Sequence, residues 1–190
     1  MPSVLNPQSW YTPRVSRLAR EESPLEVTLK GALAGLAGTL ALTLAMANLE
    51  KLFPPRSPDR AGEEASETSG EGPPDPTERL AEKVASGVFE AELSPDARQT
   101  LAMGIHWGYG AFWGMAYGVV QTSVHLPGWL HGSLLGLLVW VIGPMGLIPA
   151  LKLARPQVDR PPAQRLVSIL LHQLYGLTAA GTFHLLSRDA

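Results

Sequence analysis

The segment HWGYGAFWGMAYG (106–118) combines four glycines, five aromatic side chains and one histidine, with no Asp, Glu, Lys or Arg. In water, each glycine inside a helix costs about 1 kcal/mol relative to alanine. In a bilayer, water is absent, so backbone groups must bond within the helix, and small residues let neighbouring helices approach closely. The segment therefore predicts a helix that spans a membrane and packs against other helices.

The distribution of charge predicts the number of spans. Charged residues are missing from 99–151, 31–49 and 166–187, which hold 53, 19 and 22 residues. A bilayer core of about 30 Å takes about 20 apolar helical residues, so the long gap fits two spans joined by a turn at 123–128. We predict an all-α, four-helix transmembrane bundle, with helices near 27–49, 100–122, 128–151 and 164–187.

The charged segments lie outside these spans. Residues 1–26 form an N-terminal tail, and 27–187 form one membrane domain. In the loop 50–99, residues 54–76 are rich in Pro, Gly, Ser and Glu, with little to bury, so we predict disorder there. The segment DPTERLAEKVASGVF (75–89) has a capping box and apolar residues at helical spacing (Leu80, Val84, Val88 and Phe89), which predicts a short amphipathic surface helix.

Small residues recur at four-residue spacing in every predicted span, which indicates close helix packing. The predicted packing glycines are Gly31 and Gly35 in the first helix, Gly110, Gly114 and Gly118 in the second, Gly132 and Gly136 in the third, and Gly176 in the fourth. Gly104 and Gly108 form a further pair on a different face of the second helix.

The sequence contains two pairs of similar segments. KGALAGL (30–36) is similar to HGSLLGL (131–137), and HWGYG (106–110) is similar to HQLYG (172–176). Two helices per unit leave both copies in the same orientation. We therefore predict two tandem two-helix repeats related by a pseudo-two-fold axis along the membrane normal.

The prolines and tryptophans within the spans lead to two further predictions. Pro144 and Pro149 remove backbone hydrogen bonds from the last third of the third helix, which predicts a kink. A gate or a broken-helix binding site is the alternative function of such a kink. Trp113 and Trp140 lie deep within their spans, and we expect both to face lipid.

The composition restricts the chemistry. The absence of Cys excludes disulfides and thiol catalysis, and a net charge of −2 argues against a nucleic-acid partner. No predicted span contains a carboxylate, Lys or Arg, which argues against ion-coupled pumps. The loops contain no catalytic set, phosphate loop or metal-ligand box. We therefore predict a non-enzymatic protein without catalytic residues, metal or cofactor.

Two polar pairs lie inside the predicted spans: His106 with Tyr109, and His172 with Tyr175. Each pair is spaced i, i+3 on one helix face, and the two histidines lie at similar depth from the same side. We predict that His106 and His172 are partners in an interhelical polar contact that fixes the packing. Alternatively, two imidazoles can ligate one haem.

Basic residues near the helix ends predict the orientation. Eight Lys and Arg flank the spans at the loops 50–99 and 152–163, and five flank them at the two termini. Cytoplasmic segments carry the excess of Lys and Arg. We therefore predict that the two charged loops are cytoplasmic.

The order of several short motifs is characteristic. A glycine-rich first helix runs into KLFPPR (51–56) and TERLAEKV (77–84), and an H-x-x-YG helix follows. GLLVWVIG (136–143) then leads to LIPALKL (147–153) and a second H-x-x-YG helix. This order resembles the YagU-like family of small, functionally uncharacterised bacterial inner-membrane proteins. The resemblance implies a bacterial plasma membrane and a four-helix bundle.

These observations favour a structural, accessory or stress-related component of the plasma membrane. Its partners are the lipid bilayer and either another membrane protein or a second copy of the chain. A passage for a small neutral solute, gated at Pro144, is the alternative function. A haem-binding redox subunit that uses His106 and His172 is the second alternative.

Overall fold

The computed structural model describes residues 23–52, 76–88, 93–124, 126–154 and 157–188. All regular secondary structure in these ranges is helical, so the predicted all-α class is confirmed. The N-terminal tail up to residue 22 and the segment 53–75, which holds nearly all of the predicted disorder, lie outside the described residues. In chain order the elements are α1 (Pro24–Leu52), α2 (Pro76–Val88), α3 (Pro95–Ser123), α4 (Gly128–Trp140), a π-helical segment (Val141–Leu147), α5 (Ile148–Ala150), a 3-10 turn (Gln157–Asp159) and α6 (Pro162–Leu186).

Three described segments are long and apolar enough to cross a membrane: Pro24–Leu49, Gly128–Ala150 and Pro162–Leu186. Helix α3 has 29 residues but does not reach the same mean hydropathy, because Gly, His, Trp and Tyr occupy many of its positions. The chain thus has the helices of a multi-pass membrane protein.

Helices α1 and α3 begin earlier than the charge-free segments predict, because their first turns are charged and capped. The Ser94 hydroxyl accepts the backbone N–H of Ala97 at 3.3 Å and caps α3. At α1, the Ser23 hydroxyl accepts the backbone N–H of Glu26 at 3.2 Å. Glu26 pairs with Lys30 at 3.0 Å inside the first two turns, so a charge does not mark the start of this helix.

Helices α1 and α3 approach until their backbones touch. A Cβ atom added at Gly114 would lie 2.6 Å from the Cα of Gly35, and one at Gly31 would lie 3.1 Å from the Cα of Met115. A Cβ at Gly118 would lie 2.7 Å from the carbonyl oxygen of Val27. Only hydrogen fits at these positions.

Helices α4 and α6 pack in the same manner. A Cβ atom added at Gly176 would lie 2.8 Å from the Cα of Gly136, and one at Gly136 would lie 3.0 Å from the Cα of Gln173. A Cβ at Gly132 would lie 2.9 Å from the carbonyl oxygen of Gly176. The structure therefore places small residues at this second helix contact as well.

Contact between α1 and α6 joins the two pairs. A Cβ at Gly38 would lie 2.7 Å from the carbonyl oxygen of Tyr175, and Ala34 and Ala179 are completely buried. Larger side chains fill the remaining space between the four long helices. The buried core contains Val27, Ala34, Leu42, Tyr117, Leu135, Val139, Tyr175, Ala179, Ala180 and Phe183.

The third predicted span is not one continuous α-helix with a simple kink. Pro144 has no N–H, and the backbone accommodates it within the π-helical segment, where hydrogen bonds span five residues. The N–H of Ile148 accordingly donates to the carbonyl of Gly143. Pro149 lies in α5, which continues the helical backbone of the π-helical segment without a break, so it too lacks an N–H that could donate to the preceding turn.

The expectation that Trp140 faces lipid is wrong. Its side chain is 8 % exposed, and its indole N–H donates to the Ser168 hydroxyl of α6 at 3.0 Å. A buried indole N–H needs such a partner, which the lipid chains do not supply. Trp113 is half-buried and packs against the core.

Helix α2 lies across the N-terminal part of α3. Ala81 and Ala85 are its buried positions, and Leu80 and Val84 of the predicted apolar face are partly buried beside them. Phe89, the last residue of the predicted face, lies outside the described residues. An ion pair of 2.8 Å between Glu82 and Arg98 adds to the contact between the two helices.

Gly114→Leu should destabilise the fold, because the new side chain would collide with the backbone of α1. Overpacking of this kind costs about 1–3 kcal/mol or more, so the variant should unfold at a lower temperature in detergent. Gly104→Leu on the same helix is the matched control, since a Cβ there meets nothing within 4 Å. Equal melting temperatures for the two variants would contradict the contact between α1 and α3.

Candidate functional site

A cavity of about 220 Å³ lies between the helices, and its walls are mostly apolar. Helices α1, α2, α3, α4, α5 and α6 and the π-helical segment all contribute to its lining. The polar or titratable residues that line it are Thr39, Thr77, His106, Tyr109, His172 and Tyr175. The structure thus brings all four residues of the predicted polar constellation to one cavity.

The cavity occupies one half of the bundle. Its lining comes from the C-terminal parts of α1 and α4 and the N-terminal parts of α3 and α6, which lie at the end of the charged loops. The other half is filled by the glycine contacts between α1 and α3 and by aromatic packing. The ring centroid of Tyr117 lies 5.6 Å from that of Phe183 and 6.0 Å from that of His131.

Helix α2 covers the cavity at the charged-loop end, where Pro76, Thr77 and Leu80 contribute to the lining. Two cationic side chains of α2 reach backbone carbonyls just beyond α5. Arg79 donates to the carbonyl of Leu153 at 3.2 Å, and Lys83 donates to the carbonyl of Leu151.

These contacts hold α2 at the C-terminal end of α5, since carbonyls at a helix C-terminus lack helical partners and attract cations. The chain bends away at this point through Lys152, which has a φ of 56°. The covering helix is therefore tied both to α3, by its ion pair, and to the end of α5.

His106 forms its contact with α1. Its Nε2 atom lies 3.3 Å from the Thr43 hydroxyl, which also lies 2.8 Å from the carbonyl oxygen of Thr39. The hydroxyl has one proton, and either the carbonyl or the imidazole can accept it. The contact therefore ties His106 to α1 without fixing its tautomer.

His172 contacts its own helix, and this contact fixes its tautomer. Its Nδ1 atom lies 2.8 Å from the carbonyl oxygen of Ser168, one turn earlier in α6. A carbonyl can only accept, so Nδ1 carries the proton, and Nε2 of the neutral ring is left as an acceptor. His106 and His172 line the same cavity, and a direct contact between them stays a prediction.

The two tyrosines of the H-x-x-YG motifs are not equivalent. Tyr175 is 3 % exposed, and its hydroxyl donates to the carbonyl of Gly110 at 2.7 Å, which ties α6 to α3. The hydroxyl of Tyr109 is also buried and lies close to the Trp113 indole, which can only donate, so its own proton has no acceptor among the described residues. Such a group destabilises a protein until something supplies a partner.

Two threonines of α1 also belong to this site and are not among the predicted site residues. Thr39 is 2 % exposed and lines the cavity, and Thr43 contacts His106. The signal was present, because Gly31, Gly35, Thr39 and Thr43 continue one row at four-residue spacing. Small residues on such a row mark the buried face of a membrane helix whether or not they are glycines.

Within the described parts of the chain, no group of three or more His, Asp or Glu is placed to hold a metal ion. The geometry instead offers hydroxyl and imidazole groups in an apolar enclosure. That combination suits the recognition of an uncharged molecule or the fixing of helices against each other.

The chain belongs to a family described as "Protein of unknown function (DUF1440)", which matches residues 41–184. The matched region includes every residue that lines the cavity except Thr39, and it covers at least part of α1, α3, α4 and α6. No curated protein and no solved structure matches the chain.

Tyr109→Phe should stabilise the unliganded protein, and Tyr175→Phe should destabilise it. The first removes a buried hydroxyl whose proton has no acceptor, and a buried polar group left in this state carries a penalty of about 1–3 kcal/mol. The second removes a helix-to-helix hydrogen bond worth about 0.6–2 kcal/mol in a membrane protein. Thermal unfolding in one detergent measures both, and each variant is the control for the other. A loss of stability in Tyr109→Phe would contradict the described environment of this hydroxyl.

Proposed function

We propose that this protein is a four-span integral membrane protein of the bacterial plasma membrane that has no enzymatic activity and acts as a structural or accessory component. The observation that carries the proposal is the backbone contact at glycines in the α1–α3 and α4–α6 pairs. Packing of small residues is a principal means by which helices associate in lipid, where the hydrophobic effect does not drive them together.

The proposal includes α3 as the fourth span. From 99 to 123 it carries no charged residue, and its 29 residues reach about 43 Å at 1.5 Å per residue. Its outward side chains include Met103, Phe112, Val119 and Val120, which are exposed. Large exposed apolar side chains along a charge-free segment of this length are ordinary against lipid.

The proposal also includes the two tandem repeats. The contacts of α1 with α3 and those of α4 with α6 involve positions that correspond under fixed offsets of 101 and 66 residues. Gly31 meets Gly114 as Gly132 meets Ala180, and Gly35 meets Gly110 as Gly136 meets Gly176. Corresponding contacts at constant offsets are what a duplicated two-helix unit predicts.

We expect the exposed apolar surfaces to be covered by lipid, and by another membrane protein or a second copy where the protein serves as an accessory component. Leucines dominate the outward faces of the other spans. They include Leu29, Leu33, Leu40, Leu44, Leu134, Leu137, Leu138, Leu166, Leu170, Leu174 and Leu177.

Single cysteines test the topology, because the natural chain has none. With the charged loops in the cytoplasm, Asp159→Cys should resist a membrane-impermeant thiol reagent in intact cells and react after permeabilisation. Ser123→Cys, at the other end of the bundle, should react in intact cells. The reverse pattern would invert the orientation. Labelling of both sites in intact cells would rule out an odd number of spans between them.

The alternative of a solute passage has one observation in its favour. Gly143 and Pro144 of the π-helical segment line the cavity, and irregular backbone at a cavity is typical of transporter binding sites. The packing of Tyr117, His131 and Phe183 in the opposite half of the bundle opposes it, since a passage needs a continuous route.

Flux measurements distinguish the two functions. Proteoliposomes exposed to a glycerol gradient should swell at the rate of protein-free vesicles, as monitored by stopped-flow light scattering. Vesicles that contain the Phe183→Ala variant are the control, because that change removes part of the packing that interrupts a continuous route in the half of the bundle opposite the cavity. A rate for the natural protein well above that of empty vesicles would replace the accessory role with a passage.

The haem-binding alternative has less support. Cofactor sites commonly have volumes of about 300–1,000 Å³, and this cavity has about 220 Å³. In addition, Nε2 of His106 is engaged with the Thr43 hydroxyl. We therefore do not include haem in the proposed function.

A further inference from the structure

We infer that the cavity is a binding site for a small, uncharged ring compound that carries one hydroxyl group, the chemistry of a phenol. This inference goes beyond the accessory role and does not depend on it. It rests on the size of the cavity, the absence of charge from its described lining and the two polar groups left for a ligand.

The size and the walls of the cavity define the body of the ligand. An apolar cavity of about 150 Å³ in another protein accepts benzene, and this cavity is somewhat larger, at about 220 Å³. Leu42, Val139 and Leu147 are among the side chains that form its apolar walls. One substituted ring therefore fits inside, and any larger molecule would have to extend out through the open side of the cavity.

The ligand must be uncharged. Among the described residues that line the cavity there is no Asp, Glu, Lys or Arg. An ion in an apolar enclosure without a counter-ion loses its hydration at a large cost in free energy. Carboxylates, amines and phosphates are therefore poor ligands for this site.

The polar groups of the cavity select a hydroxyl. The buried hydroxyl of Tyr109 lies close to the Trp113 indole, which can only donate, so the proton of this hydroxyl has no acceptor in the described part of the chain. His172 uses Nδ1 as a donor to its own helix, so its Nε2 is an acceptor. A ligand carbonyl can only accept, and it satisfies Tyr109 alone. A ligand hydroxyl can accept from Tyr109 and donate to His172, so it satisfies both groups.

The test is a titration of the full-length protein in nanodiscs with 4-fluorophenol and with fluorobenzene, followed by fluorine NMR. The two probes have the same ring and differ in one hydroxyl, and each is corrected for its partition into protein-free nanodiscs. We expect saturable binding of both, with 4-fluorophenol about threefold to tenfold tighter, the range that one net hydrogen bond provides.

Tyr109→Phe should reduce the preference for 4-fluorophenol, because only the bond to His172 would remain, and leave the affinity for fluorobenzene unchanged, which also reports that the cavity is intact. Tyr117→Phe is the matched control, because Tyr117 lies on the same helix outside the cavity, and it should retain the preference. Equal affinities for the two probes in the natural protein would overturn the inference. So would equal effects of the two substitutions, or the absence of saturable binding.

A longer compound tests the proposed size. 4-Dodecylphenol should displace 4-fluorophenol no better than 4-ethylphenol does, once membrane partition is taken into account, because only the ring has room inside. A strong preference for the long chain would overturn the assignment of a small molecule and indicate the head of a lipid instead.

Discussion

The fold depends on the contact between the backbones of α1 and α3 at their glycines. Because Gly35 and Gly114 have no side chains, the two helix axes can lie closer than any larger residue permits. The same closeness recurs where α4 meets α6, and α1 then contacts α6 at Gly38. Side chains from all four long helices can therefore form one small core, although most of their surface faces outward.

This tight packing is confined to part of each helix, and the cavity lies where it ends. The row of small residues on α1 changes from Gly31 and Gly35 to Thr39 and Thr43, whose hydroxyls bond to carbonyls one turn earlier. Side chains with hydroxyl groups need more room than glycine, and Thr43 also contacts His106. The polar groups thus lie at the end of the bundle that helix α2 covers.

Much of this arrangement could be predicted from the sequence, because spacing and charge act locally. The glycines identify the faces through which the helices pack. The two H-x-x-YG motifs identify His106, Tyr109, His172 and Tyr175, which line the cavity. The unequal roles of Tyr109 and Tyr175 could not be predicted, since they depend on which carbonyl each hydroxyl meets on another helix. The burial of Trp140 depends in the same way on Ser168.

The π-helical segment has a consequence for how such a chain can vary. A π-bulge arises when one additional residue is accommodated within an α-helix, and one residue corresponds to a rotation of about 100°. Every side chain after Leu147 therefore has a different angular position from the one it would take in an uninterrupted α-helix. Ile148, which lines the cavity, owes its direction to that offset. The loss of one residue between 141 and 147 is thus the smallest change that would rotate the following side chains and alter this wall of the cavity. No substitution of a single side chain has the same effect.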